Sequence, residues 1–153
     1  MARKISEIII HCADTPPNWK AARPLAEKIS DIRSWHVAKG LADIGYHWVI
    51  DRSGAIARGR VESTPGEHVT GRNSNSIGIC LIGGRGSTER DLFNQHFTSM
   101  QDMYLTLLIS QIRKRYQITR ISGHNEYSQK ACPGFQVEGW LNSKGWSTSW
   151  EVL

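Results

Sequence analysis

The pattern of apolar and polar positions predicts short strands that alternate with helices. The β-branched run at residues 5–10 predicts a buried strand that ends at His11. The apolar runs at 77–82 and 118–121 predict two more strands of the same kind. Residues 46–60 contain two apolar segments on either side of Arg52-Ser53-Gly54, which is typical of a hairpin.

Helical periodicity occurs in three other segments. Residues 30–31 (Ser-Asp) predict the N-cap of a first helix, and Gly40 predicts its end. Thr98 begins a capping-box pattern ahead of a longer helix at 99–116, and a short helix is predicted at 137–141. Because strands and helices interleave, we predict an α/β fold with a central mixed β-sheet flanked by helices.

The chain length predicts one domain over residues 1–153, with its core at about 5–141 and a tail at 142–153. The net charge is +5, and its densest cluster, residues 113–115, is more typical of a solvated helix face than of a nucleic-acid site. No apolar run approaches the roughly 20 residues of a membrane span, and the N-terminus has no signal-peptide pattern.

The three cysteines cannot all pair within one chain, so a disulfide framework is not expected. Cys12 and Cys80 lie in buried-strand patterns and are interpreted as core. The tryptophans of the C-terminal region are expected to pack partly against the body, although they are also suited to gripping a glycan: Trp140, Trp146 and Trp150.

Residues 123–134 form a loop in which glycine and proline alternate with reactive side chains. His124 and Cys132 are both ligands that zinc accepts, although their spacing matches no zinc finger. A loop histidine and a buried thiol explain the same pair equally well. His11, at the end of the first strand, would complete the three protein ligands that a hydrolytic zinc site needs.

Five short motifs then occur in an order that resembles a known family. They are His11-Cys12, Gly45-Tyr46-His47, Gly66-Glu67-His68-Val69-Thr70-Gly71-Arg72-Asn73, Ser76-Ile77-Gly78-Ile79 and Cys132-Pro133-Gly134. Together they resemble the type 2 N-acetylmuramoyl-L-alanine amidases, especially the amidase-type phage lysozymes related to peptidoglycan recognition proteins. The resemblance extends from about residue 8 to 135.

This resemblance implies a zinc-dependent amidase that hydrolyses the bond between N-acetylmuramic acid and L-alanine in peptidoglycan, with one zinc ion per chain. By position, it implies that the zinc ligands are His11, His124 and Cys132. It also implies that Tyr46 and Lys130 are catalytic, and that His68 and Asn73 line the substrate groove. Zinc acidifies its bound water, Lys130 would stabilise the oxyanion, and Tyr46 would orient water or donate a proton.

Two other functions stay open at this point. A non-catalytic peptidoglycan-binding relative would be expected to lack the cysteine ligand, so Cys132 favours an enzyme. Some phage lysozymes of this type combine hydrolysis with binding to another protein, so a phage RNA polymerase is a candidate second partner. We expect a monomer that accumulates in the host cytoplasm and reaches periplasmic peptidoglycan after the membrane is breached; cytoplasmic recycling of wall fragments is the alternative.

Overall fold

The buried apolar runs form one five-stranded sheet in the computed structural model, which describes residues 2–147. The strands are β1 Glu7–Cys12, β2 Trp48–Ile50, β3 Ile56–Arg58, β4 Ser76–Leu81 and β5 Arg120–Gly123. Their spatial order is β3-β2-β4-β1-β5, and only β3 runs antiparallel to its neighbour. The mixed sheet and the hairpin are therefore confirmed.

The helices are α1 Leu25–Ala38, α2 Phe93–His96, α3 Ser99–Arg115 and α4 Val137–Ser143. The capping box predicted at Thr98 is confirmed. The Thr98 hydroxyl accepts the Gln101 N–H, and the Gln101 side-chain oxygen accepts the Thr98 N–H. The four-residue helix α2 was not predicted, since so short a segment carries no periodicity. Helix α4 continues to Ser143, beyond the predicted beginning of the tail.

The predicted beginning of α1 is wrong. The helix begins at Leu25, directly after Pro24, and Ser30 lies inside it. Proline fixes a backbone angle suited to a helix entry, and Glu27 in the first turn pairs with Arg23. Asp31 contacts Lys20 at 2.6 Å instead of capping the backbone.

Two apolar clusters pack on the opposite faces of the sheet. One joins Ile8 and Ile10 of β1 to Leu105 and Ile109 of α3. The other joins Cys80 of β4 to α1, through residues such as Ile29 and Ile32. Because side chains alternate between the two faces along β1, Cys12 packs with the first cluster. His11 lies on the opposite face of the sheet, beside Cys80 of β4. The burial expected for Cys12 and Cys80 is confirmed.

The C-terminal region packs against the first of these clusters. Trp140 is buried and Trp146 is partly buried, as expected, whereas Trp150 lies outside the described residues. All three cysteines are free thiols. Within residues 2–147, no helix combines the length and the apolar character that a membrane span requires.

Candidate metal centre and active-site pocket

The three predicted metal ligands meet at one edge of the sheet. His11 lies near the end of β1, and His124 directly follows β5, which runs parallel to β1. Cys132 belongs to the loop between β5 and α4. Parallel neighbours end at the same edge, so residues far apart in sequence meet there. One ligand atom from each of the three side chains lies within 4.8 Å of the others.

The geometry of this cluster suits one small cation. His11 Nδ1 lies 3.8 Å from Cys132 Sγ, and the rings of His11 and His124 are 4.8 Å apart between centroids. The backbone N–H of Cys12 donates to Cys132 Sγ at 3.2 Å, which orients the sulfur. Two imidazoles and one thiol at such separations form a set of donors that zinc prefers.

The surroundings of the cluster shift the pKa of each of its three side chains. Burial, reinforced by neighbouring imidazoles, lowers the pKa of His11 well below its usual value. Burial, followed by the charge of Lys130, lowers the pKa of His124. Both rings therefore stay neutral, as ligands must. The contact with the Cys12 thiol and burial raise the pKa of Cys132, so its thiolate needs a nearby positive charge.

A pocket of about 490 Å³ opens beside the cluster. Its wall includes His124 and Cys132 and both residues predicted to be catalytic, Tyr46 and Lys130. The Tyr46 ring lies 5.1 Å from the His11 ring. Burial of its phenol, with nearby thiols, raises the pKa of Tyr46 well above its usual value. The pocket thus combines a neutral hydroxyl donor with an exposed ammonium group; their catalytic roles stay predictions.

The two residues predicted to line the substrate groove lie elsewhere. His68 is buried behind His11, with its Nδ1 2.8 Å from His11 Nε2, and it is not part of the pocket wall. The Asn73 side chain accepts the backbone N–H groups of His68 and Val69, each at 2.9 Å. Both side chains have structural partners here, and substrate contact by either one stays a prediction.

Helix α1 contributes pocket residues that the sequence pattern did not identify. Trp35 and His36 of α1, with Lys39 directly after it, all lie on the pocket wall. His36 packs against the segment before β2, because its Nδ1 accepts the Gly45 N–H at 2.8 Å. Trp35 is 41% exposed and rests on Trp19 at 5.4 Å between centroids. The signal available in the sequence was a tryptophan directly before a histidine on one side of the predicted helix.

Residues 1–135 match the family described as N-acetylmuramoyl-L-alanine amidase. The chain belongs to this family. As an amidase of this family, the protein is an enzyme acting on the bond between the glycan and the peptide of peptidoglycan, and the family predicted from the five motifs is confirmed.

Relatives of this amidase include phage enzymes and animal proteins. The endolysin of Escherichia phage T7 is 34% identical over 142 residues, which cover 93% of this chain and 89% of that protein. Peptidoglycan-recognition protein SC2 of Drosophila melanogaster is 30% identical over 149 residues, covering 95% of this chain and 74% of that protein.

Solved structures share the fold of this amidase. The amidase LysC of Clostridium intestinale gives a TM-score of 0.75 at 24% identity, covering 95% of this chain and 88% of that chain. Drosophila PGRP-LB gives a TM-score of 0.76 at 23% identity, covering 99% of this chain and 87% of that chain. The mixed sheet flanked by helices is thus the fold of amidases and recognition proteins alike.

Proposed function

We propose that this amidase is a zinc-dependent peptidoglycan hydrolase that cuts between N-acetylmuramic acid and L-alanine of the peptide stem. The observation that carries the proposal is the convergence of His11, His124 and Cys132 beside a pocket lined by Tyr46 and Lys130. The family match and the phage endolysin relatives support the same reaction.

The proposed cofactor is one zinc ion held by the two imidazoles and the thiolate. Held there, the ion would supply Lewis-acid chemistry of the kind that lowers the pKa of water to about 7. The reaction adds the oxygen of water to the lactyl carbonyl carbon, breaks the C–N bond, and leaves a proton on the departing amine of L-alanine. The protein must therefore stabilise an oxyanion and supply that proton.

We propose that Lys130 stabilises the negative charge that develops on the oxyanion. Its side chain is exposed on the pocket wall, and its positive charge helps to lower the pKa of His124. A cation near the site where an oxyanion forms stabilises the transition state more than the ground state. We therefore assign Lys130 to oxyanion stabilisation and not to metal binding.

Tyr46 supplies a neutral hydroxyl on the same wall. Because burial raises the pKa of Tyr46 well above its usual value, the phenol keeps its proton at physiological pH. A protonated phenol donates a hydrogen bond to the oxyanion or to the leaving nitrogen, and it is a poor general base. We propose the donor role.

Mass spectrometry of digested murein tests the reaction directly. Cleavage at the proposed bond releases peptides with a free N-terminal L-alanine and leaves intact glycan strands. Products with shortened glycan strands, or with stem peptides cut internally, would contradict the assignment. Binding to murein without release of any product would favour a recognition protein instead.

Metal analysis tests the cofactor. We expect one zinc per chain, loss of activity after chelation, and recovery when zinc is added. His124→Ala should lose both zinc and activity. His96→Ala is a matched control, because His96 pairs with Asp91 at 2.6 Å and does not belong to the cluster. Full activity of a protein free of metal would remove zinc from the mechanism.

We also propose that the protein acts as a phage endolysin from the host cytoplasm after the membrane is breached. Its relatives include the endolysins of phages T7 and T3. Expression inside Gram-negative cells should leave them intact until chloroform opens the membrane, when rapid lysis follows. Lysis without chloroform would contradict this order of events. A Tyr46→Phe protein expressed to the same level controls for lysis caused by chloroform alone.

A further inference from the structure

The two ring nitrogens of His11 face different partners. Nδ1 points to the ligand cluster, where it lies 3.8 Å from Cys132 Sγ. Nε2 lies 2.8 Å from Nδ1 of His68. His11 is 1% exposed and His68 is 8% exposed, so this pair of nitrogens is shielded from solvent. Whether His68 Nδ1 accepts or donates a hydrogen bond therefore determines whether His11 Nδ1 has a lone pair for a metal.

Metal binding at His11 Nδ1 would fix the direction of every hydrogen bond from His11 through His68 to Ser76. A metal at Nδ1 needs a lone pair there, so the proton of His11 resides on Nε2 and is donated to His68 Nδ1. His68 then carries its own proton on Nε2, which lies 3.2 Å from the Ser76 hydroxyl. That hydroxyl in turn donates to the Arg72 carbonyl at 2.7 Å. Every donor from His11 to Ser76 meets an acceptor.

The backbone around His68 is shaped to hold this ring. A Cβ at Gly78 would come within 2.8 Å of the His68 ring, and one at Gly66 within 2.7 Å of it. Only glycine at these two positions leaves room for the imidazole. The Asn73 amide oxygen also accepts the His68 N–H at 2.9 Å, and Ser76 is fully buried.

We propose that His68 and Ser76 are positioning residues, which fix the tautomer and the ring orientation of His11 so that Nδ1 is presented to the metal. This inference rests on the proposed zinc dependence. The His68 ring accepts at Nδ1 and donates at Nε2, which is the arrangement of a neutral imidazole. A neutral partner orients His11 without adding a second negative charge behind the metal, as a carboxylate would.

Nuclear magnetic resonance of the zinc-loaded wild-type protein tests the proposal without any substitution. Long-range proton–nitrogen spectra of the imidazoles should show both His11 and His68 protonated on Nε2 only. Protonation of His68 on Nδ1 would overturn the proposal, because His11 would then have no acceptor behind it.

Zinc affinity, measured by competition with a chelator, gives a second readout that does not depend on activity. His68→Leu should weaken zinc binding by about 10- to 100-fold, the usual cost of losing a partner of a metal-binding histidine. His68→Asn should recover much of that loss, since its amide oxygen occupies the position of Nδ1. Ser76→Ala should weaken binding less and allow His68 to populate both tautomers. His96→Leu is the matched control.

The kinetics of His68→Asn and His68→Leu separate positioning from substrate contact. At saturating zinc we expect kcat to fall in His68→Leu while KM stays close to the wild-type value. A raised KM with unchanged zinc affinity would overturn positioning in favour of substrate contact. If His68→Leu does not fold, Ser76→Ala and the wild-type spectra decide the question. A wild-type protein that binds no zinc would refute the proposed function itself, whereas wild-type affinity in a folded His68→Leu refutes the positioning role alone.

Discussion

The Tyr46 ring lies against the His11 ring, 5.1 Å away between centroids, and its phenol is desolvated. Tyr46→Phe removes the hydroxyl and keeps the ring contact. We expect about a 100- to 1,000-fold loss in kcat, the usual cost of one oxyanion donor, with zinc content and thermal stability unchanged. Turnover of a soluble muramyl peptide measures the effect. A rate within a factor of three of wild type would exclude the phenol from the chemistry.

The raised pKa of Tyr46 also affects how the rate depends on pH. A raised phenol pKa means that the neutral, donating form persists to higher pH, so Tyr46 should produce no alkaline limb below about pH 10. The Tyr46→Phe profile should therefore be displaced downward without changing shape. A limb near pH 9 that disappears in Tyr46→Phe would show that the phenol ionises within that range.

Lys130 is predicted to act through its charge. Lys130→Ala should lower kcat by about 100- to 1,000-fold while zinc binding is retained, and Lys130→Arg should recover part of the rate. Lys114→Ala, at an exposed position on α3, is the matched control for loss of one positive charge. Wild-type activity in Lys130→Ala would reduce this residue to a surface charge.

His47 should make the fold sensitive to acid. Its Nδ1 accepts the Gly78 N–H at 3.0 Å, and its Nε2–H donates to the Thr64 carbonyl at 2.8 Å. Burial, with the charge of Arg3, lowers the pKa of His47 to about 4. The unfolded chain, with a histidine pKa of about 6.5, binds the proton more readily, so stability is present above pH 6.5 and is lost as pH falls towards 4.

The full loss is roughly 3 kcal/mol below pH 4, at about 1.4 kcal/mol per unit of pKa difference, and about 2 kcal/mol of it falls between pH 7 and pH 5. Denaturant unfolding at pH 7 and pH 5, with zinc saturating, should show a smaller pH dependence for His47→Gln than for wild type. Because both proteins share every other titrating group, the difference between them isolates His47. Equal pH dependence in the two proteins would contradict the prediction.

The buried ion pair between Lys28 and Asp51 should matter more than any exposed pair. Their charged atoms are 2.8 Å apart, and the side chains are 3% and 8% exposed. Lys28→Met leaves the Asp51 carboxylate buried without its cation, which costs about 3–5 kcal/mol of unfolding free energy. Lys20→Met breaks solvent-accessible contacts with Asp31 and Glu27 and should cost much less than Lys28→Met. Similar losses in both variants would contradict this ranking.

Local chemistry explains which parts of the fold could be predicted. The capping box at Thr98 and the hairpin around Gly54 depend on residues close in sequence, and both were correct. The beginning of α1 was wrong because Ser30 resembles an N-cap locally, whereas Pro24 and the pairing of Asp31 with Lys20 decided the actual entry.

The sequence by itself determined the family and nominated the ligand set, because the identities and order of His11, His124 and Cys132 within short motifs are properties of the chain alone. Only the tertiary structure decided that His68 stands behind His11 instead of on the pocket wall. That placement depends on the register of β1 against β4 and on the space that Gly78 leaves across the sheet. Distances across a sheet arise from pairing and packing between distant segments, which no local pattern encodes.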